Sequence, residues 1–238
     1  MIELRFEGLV NARDVGGLPT SDGRLVRTGR LYRSETPQLM TDADVALAVG
    51  ELGIRRVVDL RGERLGGSGP LADDGRGVIL DFYELGGGVD EHMDVSAVGF
   101  LAGQLDRAAP VVQRVLEEVV TTEGATLLHC HTGKDRTGFV IAITLALLGV
   151  GDDHIVADYE RSRPVFEQML ANLAAAGLGL PPEAPEYALD PPSSVGINAM
   201  LRRLRSDWPT AADYLVSGGV ERDLLDRARA ELIVDPSC

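Results

Sequence analysis

The chain has 238 residues, of which 45% are hydrophobic and 25% charged, and its net charge is −14. This length and composition suit one globular α/β domain, so we treat residues 1–238 as a single domain. The acidic balance argues against a nucleic-acid partner and against stable membrane association, because anionic polymers and lipids are bound by basic patches.

The sequence has no obvious signal for export or membrane insertion. Its longest apolar run begins at Gly138 and covers about a dozen residues, too few to cross a bilayer. The first residues lack the pattern of a signal peptide, and two cysteines cannot build a disulfide framework. We therefore predict a cytoplasmic protein, while export without a signal peptide stays open.

The first half of the chain alternates short strand patterns with one helical pattern. Thr41 is a suitable N-cap for a helix that runs to about Leu52. In chain order we predict short strands within residues 1–35, that helix, a strand over 55–60, a glycine-rich loop over 62–76 and a strand over 78–85.

Helical patterns dominate the second half. Apolar residues between Leu101 and Val119 recur at helical spacing, and Pro110 either starts a new helix there or kinks the helix. Near the C-terminus, apolar residues at helical spacing predict core helices; these residues are Tyr214, Leu215, Leu224, Ala228 and Leu232.

A strand and a long helix lie in the middle of the second half. The strand is predicted over 125–129 and the helix over 137–149, and Asp152 is suited to cap a further helix through Arg161. Strands that alternate with helices predict a mainly parallel central sheet with helices on both faces.

Residues 129–138 carry the most informative motif, His-Cys-His-Thr-Gly-Lys-Asp-Arg-Thr-Gly. Cys130 and Arg136 enclose five residues, and the motif joins a buried strand to a helix N-terminus. That order presents backbone N–H groups and the helix dipole to an anion. The spacing is typical of a phosphate-binding loop around a cysteine nucleophile; the alternative is that Cys130 is a small buried hydrophobic residue.

The residue types of this motif suit phosphoryl transfer. A thiolate at Cys130 attacks phosphorus, and nearby cations and the helix end favour that thiolate. Arg136 offers a planar fork to two phosphate oxygens, and the Thr137 hydroxyl is placed to donate to the sulfur. The candidate phosphate-binding residues are His131, Thr132, Gly133, Lys134 and Thr137.

Two of these candidates have a second interpretation. Lys134 is the single lysine among 23 basic residues, and its compact ammonium suits phosphate, although a solvated turn residue is the alternative. His131 either lines the pocket or is incidental.

The motif resembles the signature of the bacterial atypical tyrosine phosphatases. Four further segments resemble that family, so the resemblance spans nearly the whole chain; they are residues 11–17, 29–34, 57–61 and 155–162. It implies a cysteine-phosphatase-like α/β fold and a phosphocysteine intermediate, without metal or cofactor. The implied substrates are phosphotyrosine in a protein or peptide, phosphoserine, and in some members phosphoinositides.

The resemblance also implies a helical lid over the active site. We assign it to residues 164–197, where two apolar helical patterns flank a proline-rich stretch. The alternative is ordinary helical packing around a surface loop.

The proton donor has three candidates, because the leaving oxygen is usually protonated by a carboxylic acid. Asp135 inside the motif is the first, Asp90 in the loop after the strand over 78–85 the second, and Asp59 at a strand end the third. Each has a structural alternative: Asp135 orients loop amides, Asp90 is solvated, and Asp59 pairs with an arginine.

Several nearby residues are interpreted as supports. His129 is expected to pack at the strand end and to hydrogen-bond backbone near the sulfur, whereas Asn11, Arg13 and Asp14 either brace the loop or stabilise a turn. Two other functions stay open: a phosphate-binding module without turnover, and an arsenate-reducing or sulfur-transfer enzyme. Arsenate reduction would need a partner thiol, and Cys238 is the other cysteine.

Overall fold

The computed structural model describes residues 4–62, 69–72, 75–86, 96–180, 184 and 186–236. Asp90, Cys238 and part of the predicted glycine-rich loop lie outside the described residues.

The strands are short and are distributed along the whole chain. In chain order they are β1 (Arg13–Asp14), β2 (Leu25–Val26), β3 (Leu31–Ser34), β4 (Ile54–Asp59), β5 (Gly77–Ile79), β6 (Ala125–His129) and β7 (Ile233–Val234). Five of them form one sheet in the order β1, β3, β6, β4, β5. Only the β1–β3 pair of this sheet is antiparallel, which confirms the mainly parallel sheet. β2 and β7 pair separately and tie the C-terminus to the N-terminal region.

Helices connect the strands and make up most of the second half. They are α1 (Asp42–Ala46), α2 (Phe82–Leu85), α3 (Ala97–Gly103), α4 (Ala109–Thr121), α5 (Asp135–Leu147), α6 (Asp152–Glu160), α7 (Phe166–Ala175), α8 (Ser194–Asp207), α9 (Ala211–Ser217) and α10 (Arg222–Leu232). A π-helical turn, Leu47–Glu51, extends α1. Thr41 caps α1 in a capping box with Asp44, as the sequence predicted.

The two faces of the sheet bury different sets of side chains, because successive residues of a strand point to opposite faces. Leu128 of β6 and Val58 of β4 belong to the large cluster that includes α4, α5 and the C-terminal helices. Leu127 and Val57 belong to a second cluster beneath α1. The C-terminal apolar residues named from the sequence are buried, so those core helices are confirmed.

The predicted strand over 78–85 is largely wrong. β5 ends at Ile79, and the carboxylate of Asp81 then accepts the N–H groups of Tyr83 and Glu84, each at 3.0 Å. This cap satisfies two N–H groups at a helix start and turns the chain into α2.

One helix start decides between two alternatives, and another differs from expectation. Pro110 lies in the first turn of α4 and so begins a new helix after α3, which decides between the two alternatives. Asp152 does not cap α6, because Gly151 occupies the N-cap position and the Asp152 carboxylate pairs with Arg205 at 2.7 Å.

Candidate active site

Cys130 follows the central strand of the sheet. β6 lies between β3 and β4, and its last residue, His129, is in register with Ser34 and Asp59. Cys130 is 2% exposed, and the loop after it leads directly into α5 at Asp135. The loop therefore occupies the carboxyl edge of a parallel sheet, where ligands of open α/β folds bind.

Gly133 gives the loop its tight turn. Its φ is 68°, in the left-handed region, and a Cβ there would lie 2.3 Å from the carbonyl oxygen of Ser34. A side chain would be strained and would also collide with the neighbouring strand end, so this position requires glycine.

Three consecutive carbonyl groups of the loop are held from outside. The carbonyl of His131 accepts the N–H of Thr36 at 2.9 Å, and that of Thr132 accepts Asn11 Nδ2 at 3.0 Å. The carbonyl of Gly133 accepts Arg33 Nη2 at 2.7 Å. In a trans peptide the following N–H points away from the carbonyl, so the next three amides are directed away from these partners, an arrangement that suits an anion.

A buried ion network supports this arrangement from behind. Asp158 of α6 pairs with Arg33 and, at 2.9 Å, with Arg13. Burial acts to raise the pKa of Asp158, but Arg33 and Arg13 lower it to about 2, so the carboxylate stays ionised. Arg13 also donates to Asn11 Oδ1 at 2.7 Å, which fixes the side-chain amide that holds Thr132.

The sequence proposed only part of this support. Asn11 and Arg13 brace the loop, whereas Asp14 stabilises a turn by accepting the N–H groups of Gly16 and Gly29 at 2.7 and 2.8 Å. Arg33 and Asp158 were missed as individual residues; the available signal was that both lie in segments that resemble the phosphatase family.

Arg136 lies in the first turn of α5. Its Nη1 is 3.4 Å from the carbonyl of Leu60, and its guanidinium lies 5.6 Å from the ring centroid of Tyr83. Burial acts to lower the pKa of Arg136, but the electrostatic interactions with Cys130, Tyr83, Asp135 and Asp59 together raise that pKa. Arg136 thus interacts electrostatically with Cys130.

The Asp135 carboxyl lies beside two cations, Lys134 and Arg136. Burial raises its pKa, while the charges of Lys134 and Arg136 act in the opposite direction. A raised pKa keeps a larger fraction of the carboxyl protonated near neutral pH.

The side chains of Lys134 and His131 contact the segment over 164–197, and Lys134 Nζ also lies 3.6 Å from Asp135 Oδ2. Lys134 is 1% exposed, and its Nζ donates to the carbonyls of Tyr187 at 2.9 Å and Asp190 at 2.6 Å. It also lies 5.0 Å from the ring centroid of Phe166. The ring of His131 hydrogen-bonds the backbone of Leu178. Both side chains therefore tie the loop to the segment over 164–197.

Two tyrosines that the sequence analysis missed lie beside Arg136. The hydroxyl groups of Tyr83 and Tyr187 hydrogen-bond each other, and the Tyr187 ring stacks on Phe100 at 5.2 Å. Tyr83 lies in α2, just after its N-cap Asp81, whereas Tyr187 lies about a hundred residues later, beside the proline-rich stretch. Only the tertiary structure therefore brings the two tyrosines together.

His129 and Thr137, which flank the loop in sequence, are both fully buried. His129 Nδ1 hydrogen-bonds the carbonyl of Cys130 at 3.0 Å, and burial lowers the pKa of this histidine to about 4, so it is neutral. This agrees with its expected supporting role. The Thr137 hydroxyl is buried and makes no hydrogen bond within the described residues, so its expected contact with the sulfur is not formed in this structure.

Asp59 is committed to an ion pair. Its oxygens accept Arg61 Nε at 2.9 Å and Nη2 at 2.7 Å, and both side chains are almost fully buried. This ion pair is the structural alternative given for Asp59. Asp90 lies outside the described residues.

Metal and membrane features are absent from the parts of the chain that the structure describes. No group of three or more histidine, cysteine, aspartate or glutamate side chains there could hold a metal ion. No helix of the same residues combines the length and hydropathy needed to cross a bilayer.

Comparisons with known proteins place these features in context. The sequence model of the tyrosine phosphatase family matches residues 4–234. A putative tyrosine-protein phosphatase of Cupriavidus necator is 32% identical over 251 residues, covering 97% of this chain and 86% of that protein. The triple specificity protein phosphatase PtpB of Mycobacterium tuberculosis is 33% identical over 70% of this chain and 71% of its own length.

One solved structure shows a weaker likeness. The core catalytic domain of the PP-IP phosphatase SIW14 from S. cerevisiae, in complex with citrate, aligns with a TM-score of 0.43 and 16% identity. The alignment covers 74% of this chain and 98% of that one.

Proposed function

The chain belongs to the tyrosine phosphatase family and is a phosphatase, and from that premise we propose that Cys130 is its nucleophile, with Arg136 and the loop amides as the phosphate site. The observation that carries this proposal is the set of three loop carbonyls held from outside, since it turns their partner amides toward one anion site next to the sulfur.

The reaction has two steps. In the first, the thiolate of Cys130 attacks phosphorus, the bond from phosphorus to the substrate oxygen breaks, and the leaving oxygen takes the proton of Asp135. In the second, water attacks the phosphocysteine, the Asp135 carboxylate accepts the proton of that water, and the S–P bond breaks to restore the thiolate. Arg136 and the amides stabilise the charge on the phosphoryl oxygens in both steps.

We propose phosphotyrosine in a protein or peptide as the preferred substrate. Of the cations that the described residues place near the loop, Arg61 pairs with Asp59, and Lys134 is bound to two carbonyls. Arg136 has one long hydrogen bond and remains for the substrate. One cation suits one phosphate group, whereas a phosphoinositide with several phosphates would need more positive charge. Phosphoserine and phosphoinositides are the secondary candidates.

The segment over 164–197 is proposed as a lid. Its contacts with Lys134 and His131 support this role, since they connect the segment to the phosphate loop. We also propose that the protein acts in the cytoplasm, because its first residues lack the pattern of a signal peptide.

Rapid-mixing kinetics with an aryl phosphate test the function. A burst of phenol equal to the enzyme concentration, followed by slower turnover, is the expected result, because phosphocysteine forms before it is hydrolysed. A substrate panel then compares phosphotyrosine, phosphoserine and phosphoinositides by kcat/KM. A protein that binds phosphate but gives neither burst nor turnover would be a binding module.

A further inference from the structure

Glu35 is a buried carboxylate that the proposed reaction does not use. It follows β3 directly and is 2% exposed. Its Oε1 accepts the N–H of Val10 at 2.7 Å, and its Oε1 and Oε2 accept the N–H of Asn11 at 3.2 and 3.1 Å. Both carboxylate oxygens therefore hold the backbone at the start of the segment that reaches the phosphate loop.

Asn11 connects Glu35 to the phosphate loop through hydrogen bonds. Its backbone is bound by Glu35, its Oδ1 accepts from Arg13, and its Nδ2 donates to the carbonyl of Thr132. The Thr132 carbonyl sets the direction of the next amide, the N–H of Gly133, which belongs to the proposed anion site.

We propose that Glu35 is a positioning residue for phosphate: it holds the backbone of Asn11 so that the Asn11 side chain orients the Thr132–Gly133 peptide. This inference rests on the proposed function, because it assigns the loop amides to the substrate phosphate.

The contact uses both side-chain oxygens of Glu35 as acceptors. A buried carboxylate is costly unless its oxygens are hydrogen-bonded. Burial raises the pKa of Glu35 to about 7, while the N–H groups of Val10 and Asn11 and the charge of Arg13 act in the opposite direction. Glutamine keeps the shape but replaces one acceptor oxygen with an NH2 donor, which would face an N–H group.

The chain contains a matched control, Asp44, whose backbone partners lie three residues upstream of those of Glu35. Asp44 also binds two successive N–H groups of the same segment, those of Glu7 at 2.7 Å and Gly8 at 2.9 Å. Asp44 is also 2% exposed. Its partners belong to α1 and the preceding segment, so Asp44→Asn perturbs the same stretch of backbone without a direct contact to the loop.

The experiment compares Glu35→Gln with Asp44→Asn in the full chain. The readouts are the vanadate inhibition constant, kcat per active site counted from the burst, and the thermal midpoint. We expect both variants to lower the thermal midpoint. Glu35→Gln should raise the vanadate inhibition constant about tenfold or more and lower kcat, because hydrogen bonds to the anion become misaligned. Asp44→Asn should change both kinetic readouts by less than about twofold.

A double-mutant cycle tests the route through Asn11. If Glu35 acts through this residue, Glu35→Gln adds little to the effect of Asn11→Ala on vanadate inhibition. Additive effects, an unchanged inhibition constant in Glu35→Gln, or an equal change in Asp44→Asn would overturn the inference. Should Glu35→Gln not fold, Glu35→Asp withdraws the carboxylate by one methylene and is expected to raise the same constant; no change there also overturns it. Absence of a burst in the wild-type protein would instead refute the proposed function.

Discussion

The chain turns at the carboxyl ends of the neighbouring strands β4 and β6. The two turns differ in whether a carboxylate of the chain itself is bound there. After β4, the carboxylate of Asp59 accepts the backbone N–H of Arg61 at 2.9 Å and its guanidinium at 2.7 Å. After β6, side chains from other elements hold the carbonyls, and no carboxylate of the described residues is bound to the amides of residues 132–134.

This difference explains why only one turn is a candidate active site. An arginine and a backbone amide bind an anion at the end of β4, but that anion is part of the chain itself. At the end of β6, the proposed function assigns Arg136 and the loop amides to an anion that comes with the substrate. A parallel sheet edge becomes a phosphate site only where its own carboxylates leave the amides available.

The largest effect is expected from Cys130→Ser. A hydroxyl is a far poorer nucleophile than a thiolate at neutral pH, so turnover should fall by about 10⁶-fold, as for the loss of other enzymic nucleophiles. Vanadate or phosphate binding, measured by calorimetry, should persist because the amides and Arg136 remain. Turnover that survives in a preparation free of contaminating phosphatase would disprove the covalent mechanism.

Asp135→Asn is expected to have the next largest effect, and its size should depend on the leaving group. Alkyl phosphates, whose leaving oxygen needs a proton, should slow by about 10³-fold, whereas activated aryl phosphates should slow much less.

The pH dependence of kcat in Asp135→Asn is a second test of Asp135 as the proton donor. Burial raises the pKa of Asp135, and the acid works in its protonated form, so wild-type kcat should fall as the pH rises through that pKa. This basic limb should flatten in the variant. Unchanged leaving-group sensitivity would make Asp135 a structural brace.

Lys134→Ala is expected to lower turnover about tenfold, through lost hydrogen bonds of a charged donor. Because the ammonium binds the carbonyls of Tyr187 and Asp190, phosphotyrosine peptides and phosphoinositides should be affected equally. The comparison is the ratio of kcat/KM for the two substrates in variant and wild type. A selective loss of phosphoinositide hydrolysis would show that Lys134 contacts the substrate headgroup.

Asp59→Asn should have the smallest effect on the reaction. It leaves Arg61 buried without its carboxylate, so the free energy of unfolding should fall by about 3–5 kcal/mol in urea titrations. Leaving-group dependence should remain that of the wild type. If alkyl phosphates slow selectively in this variant, the turn after β4 takes part in proton transfer and the contrast between the two turns is wrong.

Local signals explain why much of the fold was predictable. Each of these signals reflects the backbone conformation of adjacent residues; they are the buried strand before Cys130, the capping residue Thr41 and the glycine at 133. By contrast, the strand over 78–85 was mispredicted, because a single aspartate cap at Asp81 outweighed the strand propensity of the residues that follow.

The sequence by itself determined the strand, loop and helix around Cys130, and with them the candidate nucleophile and the phosphate-binding arginine. Only the tertiary structure decided the partners of two buried carboxylates: Asp158 with Arg13 and Arg33, and Glu35 with the backbone of Asn11. The physical reason is the distance along the chain over which each kind of interaction acts. Backbone geometry and capping act within a few residues, whereas a buried charge is satisfied by whichever group the fold brings into contact, here up to 145 residues away along the chain.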